Sequence, residues 1–190
     1  MFRSLSVAAL GVAAGLLVPA NPPAGPTAPP VPSDANAVVE DLVLPVEDII
    51  GEVESLDGTQ SETKQGVQVT VALTSDVLFA VDKWALTGAA RKRLQGVAEK
   101  VRTEGAGGVV KVQGHTDDQG SDSYNLRLSQ RRAQAVERGL RGLLADAGVT
   151  LQAQGYGETR PRLPNLVDGK PVERNRAKNR RVEIVFDARQ

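Results

Sequence analysis

The sequence predicts an α/β fold, a two-layer sandwich in which a mixed sheet carries its helices on one face. Three observations predict it. Val67, Val69, Val71 and Leu73 alternate with Gln68, Thr70 and Ala72, the period of a half-buried strand. Two later stretches place apolar residues at helical spacing, each followed by a short strand pattern, and this alternation implies at least one right-handed βαβ unit. The run Val182–Phe186 then closes the pattern as a strand that can pair antiparallel, completing a βαβαββ order.

Each element has its own signal. After the strand at 67–73 and the apolar trio Val77-Leu78-Phe79, Leu86-Thr87-Gly88 leads into Ala89, Leu94, Val97, Ala98 and Val101, spaced as one helix face, and Gly105 to Gly108 ends it. VVKVQ, residues 109–113, is the second strand. GHTDDQG follows, then a helix over about 122–147 whose exit Gly148 marks. Thr150 to Tyr156 reads as a third strand. Residues 158–179 hold Pro161, Pro164, Asp168-Gly169, Pro171 and many charges, the composition of a long solvated loop.

The N-terminal third reads differently. Arg3, the apolar run Leu5–Val18 and Val18-Pro19-Ala20 have the layout of a signal peptide over 1–20. The run falls short of the roughly 20 residues that a spanning helix needs, and no later stretch supplies a transmembrane span. Residues 21–37 are Pro-rich, a linker composition that favours extended, solvated backbone. Residues 38–66 form an accessory segment, either a short helix or a strand, punctuated by Pro45 and Asp57-Gly58. The main domain runs over 67–187, and the expected location is the periplasm or cell envelope.

Composition narrows the function. Lys+Arg and Asp+Glu both number 23, so no bulk field recruits nucleic acid or an anionic membrane, and charge-based recognition is local. There are no cysteines, which removes disulfides and thiolate zinc sites. The single His, His115, is too few for a catalytic zinc. It also neighbours Asp117 on an extended segment, which does not build a relay with Ser129. Neither an enzyme, a metal nor a cofactor is implied.

Between a strand end and a helix start, GHTDDQG occupies a location where α/β folds bind ligands. Asp117 and Asp118 supply carboxylates there; they serve equally well as helix caps or turn formers. Arg132 follows Leu128 by four residues and precedes Val136 by four, so its guanidinium lies on or beside the apolar stripe and reaches back toward the loop. Asn125 is two turns earlier on the same face. A pocket with one carboxylate and one guanidinium suits a free α-amino-acid head group, whereas a plain Asp117–Arg132 salt bridge would only join loop to helix.

GHTDDQG, NLRLSQRRAQAV, GYGETRP and NRRVEI, in that order, resemble the signature of OmpA-like peptidoglycan-binding domains over about residues 67–187. The resemblance implies that Asp117 binds the amino group and Arg132 the carboxylate of diaminopimelate in the peptidoglycan stem peptide. It also implies that Asn125, Arg180 and Thr116 line the site. Where many relatives read F-D-x-D-K, this chain has Phe79-Ala80-Val81-Asp82-Lys83, which removes one acidic contact at Ala80 and leaves Asp82. The competing reading is a binding module for another acidic polymer or a protein partner through the Arg-rich loop 158–181, with Arg160, Arg162, Lys170, Arg174, Arg176, Lys178, Arg180 and Arg181. No stacking aromatic or helix-in-groove motif accompanies it, so nucleic acid is not expected.

Overall fold

The computed structural model describes residues 50–190. The signal peptide at 1–20, the linker at 21–37 and the first part of the accessory segment lie outside the described residues. Eight strands and four helices follow. β1 (Gly51–Glu54), β2 (Gln60–Gln65) and β3 (Gln68–Thr74) form an antiparallel meander. A short α1 (Ser75–Leu78) leads to α2 (Gly88–Glu104), then β4 (Gly108–Gly114), α3 (Asp122–Leu143) and β5 (Val149–Gly155). A two-stranded ribbon, β6 (Leu166–Val167) and β7 (Lys170–Pro171), precedes α4 (Glu173–Asn179) and β8 (Arg181–Asp187).

The main sheet has the order β1-β2-β3-β8-β4-β5. Only β4 and β5 run parallel, joined by α3 in a βαβ crossover, while β8 pairs antiparallel with both β3 and β4. The mixed α/β sandwich predicted from the sequence is therefore the observed fold. From residue 51 onward, the segment set apart as accessory belongs to this sheet: all six residues of β2 are in register with β3. Its turn is fastened by Asp57, whose Oδ1 accepts from the Ser55 hydroxyl at 2.7 Å and the Thr59 amide at 3.1 Å.

Period-two alternation sends Val69, Val71 and Leu73 of β3, Val110 and Val112 of β4, and Val182, Ile184 and Phe186 of β8 into one core. The helices close it with Ala90, Leu94, Val97 and Ala98 of α2 and Ala133, Val136 and Leu140 of α3. Thr87 caps α2 by accepting from the Ala90 amide at 3.0 Å, and this cap makes Ala90 rather than the expected Ala89 the first core residue. Likewise α3 ends at Leu143, before the expected 147, and a turn carries the chain to Gly148 at φ +65°.

The span 158–179 is not the solvated loop that its Pro and charge content predicts. Asp168 and Gly169, at φ +51° and +72°, make the two-residue turn of a β-ribbon, and α4 follows. Asn179, fully buried, holds the span down: its Oδ1 accepts from the Arg162 and Leu163 amides at 2.8 and 3.0 Å, and its Nδ2 donates to the Leu163 carbonyl at 2.7 Å. One satisfied amide side chain thus organises backbone that local composition alone leaves irregular.

What positions the candidate site is a close approach of α3 to the ends of β4 and β5. A Cβ at Gly114 would lie 2.2 Å from the Ser129 carbonyl oxygen, and one at Gly155 would lie 2.3 Å from the Gln130 amide nitrogen. Both obstacles are backbone and cannot rotate aside. The Ser129 hydroxyl completes the seam by accepting from the Gly157 amide at 2.9 Å. We expect Gly155→Ala to force α3 off the sheet and cost about 3 kcal/mol or more, measured by urea denaturation; a change below about 0.5 kcal/mol would show that the seam is not tight.

Candidate ligand-binding cleft

The loop 115–120 leaves β4 with its backbone pinned on both sides. The His115 amide donates to the Arg181 carbonyl at 2.9 Å, and the Thr116 amide to the Gly157 carbonyl at 2.9 Å. This fixes Asp117, only 4% exposed, at the wall of a cleft of about 410 Å³ that also receives Thr116, Asn125, Arg132, Arg180 and Asp82. All six residues singled out in the sequence therefore line one cavity.

Their bonds differ from the simplest expectation. Asp117 pairs with Arg180, Nη1 to Oδ2 at 2.7 Å, and accepts from the Gln119 amide at 3.1 Å through Oδ1. Arg132 does not bond to it. Its Nε donates to the Lys83 carbonyl at 3.1 Å and its guanidinium lies 5.3 Å from the centre of the Phe79 ring. Arg132 is 6% exposed and forms no ion pair among the described residues. A cation so far from water ordinarily has a carboxylate; here its terminal nitrogens remain for something entering the cleft.

Neighbouring groups set the field. Burial pushes the Arg132 guanidinium below its ordinary value, and the charges of Asp76 and Asp82 pull it back. Burial also opposes the charge of Arg180, but hydrogen bonds to Asp117 and Glu173 prevail and raise it. Asn125 donates to the Asp117 carbonyl at 3.3 Å and to Glu158 Oε2 at 2.6 Å, bracing the loop against α3. The Tyr124 hydroxyl donates to Asp82 at 3.3 Å; Asp82 sits at φ +55°, a left-handed conformation that Asp tolerates better than most residues. The Thr116 hydroxyl is buried without a partner among the described residues.

Behind the cleft, Asp118 receives a bidentate pair from Arg176 at 2.8 and 3.1 Å, which lowers its pKa. His115 is 2% exposed and stacks on Tyr156, ring centres 5.4 Å apart. Its Nε2 stands 3.6 Å from Glu183 Oε2, beyond hydrogen-bond length. Burial holds the imidazole below its ordinary pKa despite the pull of Glu183. Burial opposes the Glu183 charge in turn, but His115 and Arg181 together bring its carboxyl down to about 2. Ser129 faces the Leu126 carbonyl and the Gly157 amide, so its hydroxyl is used structurally.

The OmpA family model matches residues 78–180, more than half of the chain. The chain belongs to the OmpA family. Among curated relatives of this OmpA-family protein, outer membrane porin F of Pseudomonas aeruginosa is 46% identical over 77 residues, 40% of this chain and 21% of that protein. The peptidoglycan-associated lipoprotein of Legionella pneumophila is 36% identical over 114 residues, 58% of this chain and 59% of the lipoprotein. The chain thus spans less than two thirds of either. The solved structure of the cell wall anchor of the T6SS from Pseudomonas aeruginosa has a TM-score of 0.56 at 31% identity, covering 69% of this chain and 89% of that one.

Sequence reasoning missed four polar lining residues, Asp76, Gln119, Tyr124 and Glu173, and the apolar Val81 and Leu128. Asp76 lies on the one-turn helix α1, hidden by reading 77–79 only as an apolar trio. Glu173 opens α4 in a span read as loop. Gln119 lies inside the GHTDDQG motif and Tyr124 just after it, and both would have emerged from placing the first turn of α3 over the loop.

The His115–Glu183 pair carries a pH signature. In each, the folded pKa lies below the unfolded one, so the unfolded chain binds more protons and stability is lost as the pH is lowered. His115 contributes fully above its ordinary 6.5 and loses this as pH drops below it; Glu183 loses its part between 4.5 and about 2. We expect the melting temperature to fall on acidification from pH 7 to 5, with His115→Gln flattening that limb. A melting temperature that rises over this range would contradict the assignment.

Proposed function

We propose that this OmpA-family protein binds peptidoglycan non-covalently, through the diaminopimelate of the stem peptide, and so anchors itself to the cell wall. The observation that carries the reading is Arg132: a guanidinium 6% exposed, in no ion pair among the described residues although Asp76 and Asp82 act on it from the same cleft, which it lines with Asp117. A free α-amino-acid head group brings the missing anion to Arg132 and an ammonium to Asp117. Although Asp117 already accepts from Arg180 and Gln119, a carboxylate has about four acceptor positions, so it retains capacity. A volume of about 410 Å³ is within the usual range of ligand pockets, about 300–1,000 Å³.

The relatives support the coarser half of this reading. One is named a peptidoglycan-associated lipoprotein and a solved neighbour a cell wall anchor, which fits an exported protein acting in the envelope. Among the described residues no helix is long and apolar enough to cross a membrane. The finer half, recognition of diaminopimelate by Asp117, Arg132, Asn125, Arg180, Thr116 and Asp82, rests on the geometry of the cleft and on the motifs.

The Arg-rich span 158–181 favours this reading over a polyanion binder. Arg162 pairs with Glu52, Arg176 with Asp118, Lys178 with Glu54, Arg180 with Asp117 and Arg181 with Glu183. Arg160 lies 3.8 Å from the centre of the Tyr156 ring. Most of these cations are neutralised within the protein and offer little to a phosphate chain.

Sedimentation with purified peptidoglycan tests the proposal. Asp117→Ala and Arg132→Ala each leave one end of the head group unmatched, at a cost of about 1–3 kcal/mol or roughly ten- to a hundredfold in affinity. Free diaminopimelate should compete, and lysine-type peptidoglycan should bind more weakly than the diaminopimelate type. Undiminished sedimentation of both variants, with melting temperatures near the parent's, would remove these residues from the site.

A further inference from the structure

A second cleft, of about 640 Å³, lies on the helical layer between α2, the C-terminal half of α3 and the segment that leads into α2. It shares no lining residue with the Asp117 cleft. Leu86, Leu94, Ala135 and Leu143 contribute its apolar side chains, and Trp84, 42% exposed, stands at its edge. Gly139 lets the two layers of leucine meet: a Cβ there would lie 2.9 Å from Leu94 Cδ1 and 3.0 Å from Leu86 Cδ1.

The charge around this cleft is one-sided. In a chain of zero net charge, α2 and α3 each carry five Lys or Arg against two carboxylates. Four of these cations are matched, Arg93 by Asp57, Lys100 by Glu104, Arg102 by Glu99 and Arg141 by Glu137. Arg91 and Arg138, which line the cleft, form no ion pair among the described residues. Neither does Arg131, whose guanidinium lies 4.7 Å from the centre of the Trp84 ring.

We infer that the α2–α3 cleft docks an amphipathic, acidic segment of a partner protein, its apolar side chains seated against Trp84 and the half-buried Leu86 and Leu143 and its flanking carboxylates on Arg91 and Arg138. The combination selects the occupant. A polyanion without apolar groups would leave the leucines and Trp84 uncovered, and a flat lipid surface meets a convex helix layer only at its crest, not in a recess between helices. An apolar ridge between acidic flanks satisfies both surfaces at once, as in helix-in-groove recognition. The site is independent of the wall-binding cleft, so both can be filled together.

Trp84 is the chain's single tryptophan, so its fluorescence reads this cleft directly in the full chain. The probe is a synthetic helical peptide with Leu on one face and Glu on its flanks. We expect a saturable blue shift of Trp84, absent with a matched Leu/Lys peptide and weakened by salt. Arg91→Glu with Arg138→Glu should lower the affinity at least about tenfold, and the milder Arg91→Gln with Arg138→Gln should lower it less. Both variants should sediment with peptidoglycan as the parent does, which separates this site from the other and reports an intact fold. The inference is overturned if the Leu/Glu peptide gives no saturable shift, or if the glutamine variant binds it as tightly as the parent. It is equally overturned if polyglutamate or phosphatidylglycerol vesicles reproduce the shift where the peptide does not.

Discussion

The Asp117–Arg180 ion pair is the contact on which the chemistry of the main cleft depends. It joins the loop after β4 to the end of α4, two segments far apart in sequence, and Arg180 extends the link to Glu173 at 2.9 Å. It occupies one oxygen of the Asp117 carboxylate, and Arg132 forms no bond to that carboxylate. The Lys83 carbonyl and the Phe79 ring hold Arg132 in its place.

This arrangement is held on rigid elements. Asn125 and Arg132 project from α3, which the glycine seam presses against the sheet; Asp117 and Thr116 leave the end of a buried strand; Arg180 immediately precedes the central strand β8. Positions set by helices and strands vary less than positions on free loops. Only Asp82, on the connection between α1 and α2, depends on a local bond, that from Tyr124.

Much of this was legible in the sequence because it rests on periodicity and ordered motifs. The alternation at Val69, Val71 and Leu73 revealed β3, and the helical spacing around Arg132 put a guanidinium beside an apolar stripe. What stayed hidden depends on tertiary partners. Nothing local announces that Asn179 organises residues 162–165, that β2 pairs along its whole length with β3, or that Asp117 chooses Arg180, 63 positions away, over Arg132. Composition described the 158–179 span as a loop because its charges are many, yet most of those charges meet partners brought from other elements.

The position of β8 has a consequence for biogenesis. It lies between β3 and β4 at the heart of the sheet, yet it is the last strand of the described chain to be synthesised. Until it emerges, β3 and the β4–β5 pair share no hydrogen-bonded neighbour. Closure therefore awaits contacts of long sequence separation, such as Val69 with Phe186, which slow folding. A nascent chain of this kind cannot complete its sheet until β8 has been made, and a stop placed before residue 181 would leave the two halves of the sheet without the strand that joins them.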